Sequence, residues 1–280
     1  MNFKSVWIIP AAAILLCGCG SNAAVEEPAV KVMARQTGLI SITTVMEITT
    51  TEAVTEAAVY AAPSEIAAMP AASQISPEQI DPANLSEYFT AEAVPDAVFS
   101  RINGVSYHEN PNISLDDLRY LRVLHYDPAG EIRTGELLCN RAIADDLLDI
   151  FRGLYDANYA IERMVLVDEY GGDDDASMAA NNTSCFNYRV IAGSTTLSYH
   201  AQGLAIDINP RYNPYVTFAA DGSAQISPEN GVPYADREMF FPMKIDRNDL
   251  CYQLFTAHGF EWGGDWDTPL DYQHFEKPVS

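Results

Sequence analysis

Two short segments of this chain hold the residues best suited to chemistry. The first is Ser198-Tyr199-His200-Ala201-Gln202-Gly203-Leu204-Ala205-Ile206-Asp207, and the second is Trp262-Gly263-Gly264-Asp265-Trp266 followed by Asp271-Tyr272-Gln273-His274-Phe275-Glu276. Asp207 stands inside an apolar run, Leu204-Ala205-Ile206-Asp207-Ile208, where a carboxylate is costly unless it is paired or bound to a metal. Gly203 lets the backbone turn tightly and brings His200 back toward Asp207. Imidazole with carboxylate suits a borderline divalent ion such as zinc, and His274 offers a further imidazole. Three protein ligands with one open position is the pattern of catalytic zinc. Asp271, three residues before His274, is close enough to reach a metal-bound water. The bland alternative is that His200 and His274 are ordinary histidines and Asp207 sits in a hydrogen bond.

These segments resemble a known family at two points in the right order. Ser198-x-His200-x-x-Gly203-x-Ala205-x-Asp207 is similar to the SxHxxGxAxD signature of the D-alanyl-D-alanine carboxypeptidase / L-alanyl-D-glutamate peptidase family, zinc enzymes of bacterial cell walls. Asp271-x-x-His274-Phe275-Glu276, after Gly263-Gly264-x-Trp266, resembles that family's closing motif, nearest the branch that includes phage endolysins. The resemblance spans about Glu87 to Pro278. It implies a fold related to lysostaphin-type enzymes and the hedgehog signalling domain. It also implies one zinc ion on His200, Asp207 and His274, with Asp271 as catalytic acid/base. By the same resemblance Arg189 takes the place of an arginine that steadies the scissile carbonyl or a substrate carboxylate, and Ser198 that of a substrate-contacting serine. A surface arginine and a local turn bond are the competing readings of those two. The implied substrates are peptidoglycan stem peptides. D-alanyl-D-alanine carboxypeptidase comes first, L-alanyl-D-glutamate endopeptidase second, and a non-catalytic zinc-containing wall-recognition module third.

The rest of the sequence says where such a site would work and what would hold it. Among 280 residues, 16 Lys and Arg face 39 Asp and Glu, a formal charge of −23 that disfavours nucleic acid as a partner. Lys4, the apolar run Val6 to Leu16 and then Leu16-Cys17-Gly18-Cys19 fit an export signal. They resemble the lipobox of bacterial lipoproteins, which implies a signal peptide over 1–18 and a lipid on Cys19, anchoring the chain to the outer face of the cytoplasmic membrane. Residues 19–86, rich in Ala, Thr, Glu and Pro, are expected to be a disordered tether, the alternative being a short helix near Ala57 to Ala68. From Glu87 to Ser280 the apolar and aromatic density rises, and one domain is expected.

Within that domain Leu121 to Tyr126 and Ile132 to Leu138 read as strands joined across Pro128-Ala129-Gly130. Asn140 can start a helix with Ile143, Leu147, Phe151 and Leu154 on its buried face. Met164 to Val167 reads as a strand and Asp173 to Ala180 as a short helix, a better reading of the Asp173-Asp174-Asp175 run than a calcium site. Leu204 to Ile208 and Tyr272 to Glu276 read as strands, with a helix from Asp246 to Gly259 between them. Helices and strands mix without βαβ alternation, so the expected class is α+β, a small mixed or antiparallel sheet with flanking helices. Cys139, Cys185 and Cys251 allow one disulfide and a free thiol, with no pairing favoured. Trp262 and Trp266 wall the cleft or fill the core. His258 reads as a helix-end residue, and His108 and His125 carry no signal.

Overall fold

The computed structural model of this chain describes residues 60–191 and 194–279. The expected signal peptide, Cys19 and the tether as far as residue 59 lie outside them. The elements run in chain order α1 (Pro63–Ala68), β1 (Gln74–Ile75), β2 (Thr90–Glu92), α2 (Asp96–Ile102), β3 (Leu118–Tyr126), β4 (Ile132–Asn140), α3 (Ala144–Asp156), α4 (Asp174–Ala179), β5 (Ala205–Asp207), β6 (Tyr215–Phe218), β7 (Ala224–Ser227), α5 (Leu250–Ala257), β8 (Glu261–Trp262), β9 (Leu270–Asp271) and β10 (His274–Glu276), with 3-10 turns between them. The α+β class holds, but the strands form three small antiparallel sheets in place of the one expected. Their orders are β1-β4-β3-β2, β5-β10-β8 and β7-β6-β9.

The first sheet is the scaffold. β3 and β4 pair over nine residues each, from Leu118↔Asn140 to Tyr126↔Ile132, longer than the expected strands and joined at the turn foreseen. α3 lies against this hairpin. Ile143, Leu147, Phe151 and Leu154, one helical face, are all buried there with Leu121, Val123 and Leu137 from the strands. α5 packs on α3 at Gly153, where an added Cβ would come within 3.2 Å of Leu254.

Three expectations are corrected. The tether does not extend to residue 86, because from Tyr60 the chain is folded onto the scaffold. β1 adds to β4 at Gln74↔Arg133 and Ile75↔Ile132. Ile66, Ile75, Ile80 and Tyr88 are buried in the main core, and the Tyr88 hydroxyl donates to Ala61 O at 3.1 Å. A few large side chains in an Ala- and Pro-rich stretch are enough, since each fills its own slot. Next, Met164 to Val167 is buried but is no strand. Asn182 takes both the N–H and the C=O of Val165 at 2.9 Å, so a side chain does the work of a neighbouring strand. Last, α5 is capped by Asp249, which accepts from the Cys251 N–H at 2.9 Å; Asp246 bonds the Asn248 N–H in the turn before it. Among the described residues no helix is long and apolar enough to cross a membrane.

Candidate metal centre

The centre begins with strand register. β10 pairs with β5 so that His274 stands opposite Asp207. Directly opposed residues of an antiparallel pair share a face, with Cβ atoms about 4.5–5.5 Å apart. His274 Nδ1 accordingly lies 3.1 Å from Asp207 Oδ1. His200 arrives on the 3-10 turn Tyr199–Gln202, which opens with the Ser198 hydroxyl accepting from the His200 N–H at 3.2 Å. The turn closes on Gly203 at φ 65°, the left-handed region. A Cβ there would lie 2.6 Å from Asn140 N, and the Asn140 N–H donates to Gly203 O at 2.8 Å. Only glycine allows this backbone-on-backbone docking, which ties the turn to the end of β4. His200 Nε2 then comes to 3.3 Å from Asp207 Oδ2 and 3.2 Å from His274 Nδ1. The ligand atoms of His200, Asp207 and His274 lie within 4.8 Å of one another, and all three residues are buried.

The outward nitrogens of both imidazoles are also spoken for. His200 Nδ1 meets the carbonyl of Cys185 at 2.6 Å, and His274 Nε2 meets Glu276 Oε2 at 3.0 Å. A carbonyl cannot donate, so His200 carries a proton on Nδ1 and turns Nε2 to the centre. Burial alone would raise the Asp207 carboxyl, but His200 and His274 outweigh it and hold it well below the carboxylate range. Burial alone would lower His274, but its bonds to Asp207 and Glu276 push it up to about 10. Among the described residues Asp207 has no Lys or Arg partner; imidazoles alone face it. Two inward nitrogens and a buried carboxylate with no other cation fit a divalent ion.

Asp271 joins the centre from β9, where it is paired with Tyr215 of β6. The Gly263-Gly264 pair of the closing motif makes room for it. A Cβ on Gly263 would lie 2.7 Å from both Cβ and O of Asp271 and 3.3 Å from His274 Cβ, and one on Gly264 would enter the Trp262 ring at 2.3 Å. Asp271 Oδ1 is sealed from solvent and has no hydrogen-bond partner among the described residues. Burial, helped by the Asp207 charge and opposed by His274, pushes the carboxyl up to about 7. A carboxyl that exchanges its proton near neutrality suits acid/base work. Trp262 belongs to the core, and its indole N–H donates to Tyr272 O at 3.0 Å. Trp266 is half-buried with its ring centroid 5.4 Å from that of His274, so it walls the centre.

The other residues singled out in the sequence lie outside this group, Asp173 and His258 at the helix ends expected of them. Arg189 lies on the segment behind His200, since the Asn187 N–H donates to His200 O and the Ser198 N–H to Arg189 O. Its guanidinium is paired with Asp174. The Ser198 hydroxyl is occupied by the local turn. Asp173 caps α4 by accepting from the Ala176 N–H at 3.0 Å. Asp265 is paired with Arg247 at 2.7 Å. His258 donates to Leu254 O at the end of α5, while His125 is buried in the scaffold. Cys139, Cys185 and Cys251 are all free and buried. Sequence reading gave no role to Glu276 or to the Cys185 carbonyl. A signal existed for the first, because residues two apart on a strand share a face. None existed for the second, which is a backbone atom.

Residues 192–277 match the family model described as D-alanyl-D-alanine carboxypeptidase, a narrower stretch than the 87–278 expected. No curated protein and no solved structure matches the chain.

Proposed function

From the match of residues 192–277 to the family model described as D-alanyl-D-alanine carboxypeptidase, we propose that this protein is a zinc peptidase that hydrolyses peptidoglycan stem peptides, acting as a D-alanyl-D-alanine carboxypeptidase. The observation that carries the reading is the convergence of His200, Asp207 and His274 with an acid/base-ready Asp271 beside them. His200, Asp207 and His274 would hold the zinc. Bound there, zinc supplies a Lewis acid for the scissile carbonyl and makes water easier to deprotonate.

The chain's own residues do the rest. Asp271 takes a proton from the attacking water at its carboxylate and returns it to the leaving amine. Trp266 narrows the approach beside His274 and keeps bulk water from that side. Arg189 would meet a substrate carbonyl or carboxylate only by leaving Asp174. Ser198 serves by holding the His200 turn.

One observation favours a second reading, the L-alanyl-D-glutamate endopeptidase. A carboxypeptidase must hold a free terminal carboxylate, and Arg189, the arginine the resemblance offers for it, is already paired with Asp174. Purified pentapeptide muropeptides, with and without a chelator, separate the readings by mass spectrometry. Chelator-sensitive loss of one terminal alanine supports the carboxypeptidase. A cut between L-Ala and D-Glu supports the endopeptidase. No product from the zinc-loaded protein sinks both and leaves a wall-recognition module.

Export and a lipid on Cys19 complete the proposal, supported by the apolar run Val6 to Leu16 and the Leu16-Cys17-Gly18-Cys19 that follows. Such an anchor would hold the domain at the outer face of the membrane, where its substrate lies, with the stretch before residue 60 as spacer. Labelling with a fatty-acid analogue tests it: label retained in Cys19→Ala would remove the anchor from the proposal.

A further inference from the structure

Glu276 is an expensive residue to have where it stands. Its side chain is 15 % exposed, and its one partner among the described residues is His274 Nε2 at 3.0 Å. Lys277, next in the chain, turns away to Asp146 at 2.7 Å and gives Glu276 no charge. A carboxylate so enclosed costs stability unless its partner offsets it, and here that partner is a buried imidazole. The two ligand histidines are thus held by unlike acceptors, a neutral carbonyl behind His200 and a carboxylate behind His274.

An ionised carboxylate accepts and cannot donate. It holds a His274 proton on Nε2, so that Nδ1, which faces Asp207 and His200, is the nitrogen left to give up its proton to a cation. We infer that Glu276 is a positioning residue that sets the tautomer of His274 and through it the affinity of the centre for a divalent ion. The inference rests on the metal reading proposed above.

The test compares purified wild-type protein with Glu276→Ala and Glu276→Gln. Zinc affinity is read by competition with a chromophoric chelator. Thermal unfolding is read on the metal-free forms and the nitrogen-15 shifts of the histidines on the zinc-loaded ones. Glu276→Ala is expected to weaken zinc binding by about 10–100-fold and to release His274 from the Nε2–H tautomer. Glu276→Gln keeps an acceptor oxygen without the charge, so a smaller loss with the tautomer retained is expected. This variant carries the test if the alanine form fails to fold. A lower melting temperature with zinc affinity within about twofold of wild type, and an unmoved His274 tautomer, would overturn the inference and leave Glu276 a structural residue. Wild type that binds no zinc would overturn the metal reading itself, and this inference with it.

Discussion

The hairpin β3–β4 with α3 and the cluster of short strands around His274 are held together by different means. In the first, strands of nine residues and one helical face bury Leu121, Leu137, Leu147 and Phe151 against each other. In the second, strands are two to four residues long, and buried polar groups carry the register: Asp207 faces His200 and His274, and Asn213 bonds three backbone carbonyls. Apolar packing is non-directional and tolerates small shifts. Side-chain to backbone bonding and glycine docking do not, and so they suit a centre whose atoms must stay within a few tenths of an ångström. The scaffold should therefore govern stability and the short-strand region activity.

The largest expected effect tests the second half of that division. Asp271→Asn is nearly isosteric and removes only the exchangeable proton. Hydrolysis should fall by about 10²–10⁴-fold, with unfolding and zinc content close to wild type. Unchanged turnover would mean that another group moves the proton. In the scaffold, Phe151→Ala empties a site that is 1 % exposed and should cost about 3–5 kcal/mol in denaturant unfolding. The molecules that remain folded should keep the wild-type kcat. A large fall in kcat at full foldedness would break the comparison, because it would show the core of the hairpin steering the centre.

The same contrast explains what could be read from the sequence. The hairpin and α3 were legible because long elements repeat their periodicity, and Pro128-Ala129-Gly130 marks the turn. The ligands were legible because His200, Asp207 and His274 are uncommon types in apolar company, set in two motifs. What escaped is short or borrowed. β6, β7 and β9 span four residues or fewer, too few to show a period. Met164 to Val167 looks like a strand by composition, yet its partner is the Asn182 side chain, which no local pattern announces. Ile66, Ile75 and Ile80 were hidden by the alanines and prolines around them. Arg189 was placed by motif, but its pairing with Asp174 is a tertiary fact.

Within the scaffold, one polar group should make stability depend on acid. His125 is buried, with Nδ1 at 2.9 Å from Ile161 O. Burial holds its pKa down at about 4, against roughly 6.5 in the unfolded chain. Above pH 6.5 both states leave the ring neutral and His125 adds no pH dependence. As pH falls from 6.5 to 4 the unfolded chain takes up a proton that the folded one refuses, so stability is lost across that window. The loss should approach about 3 kcal/mol near pH 4. His125→Asn, which cannot ionise, should flatten that part of the profile in urea midpoints taken at pH 7, 6 and 5. Parallel profiles for the two proteins would assign the acid sensitivity to other groups.

The smallest effect separates two aspartates that sequence could not. Asp246 and Asp249 both precede α5, and either type can cap a helix. Asp249 accepts from the Cys251 N–H at 2.9 Å and also from the Tyr159 hydroxyl at 3.0 Å, linking the helix start to the chain that leaves α3. Among the described residues the Asp246 side chain accepts a hydrogen bond only from the Asn248 N–H, at 2.8 Å, with Lys244 Nζ 3.9 Å away. Asp249→Ala should therefore cost about 1 kcal/mol or somewhat more, since it leaves a helix N–H and a buried phenol without their acceptor. Asp246→Ala should stay within about 0.5 kcal/mol of wild type. Equal losses would mean that the helix starts earlier in solution, at the residue its sequence first suggests. The β8 strand that α5 feeds would then hang from the turn before the helix, and the anchoring of Trp262 and the Gly263-Gly264 pair would trace to Asp246 instead of to the contact with Tyr159.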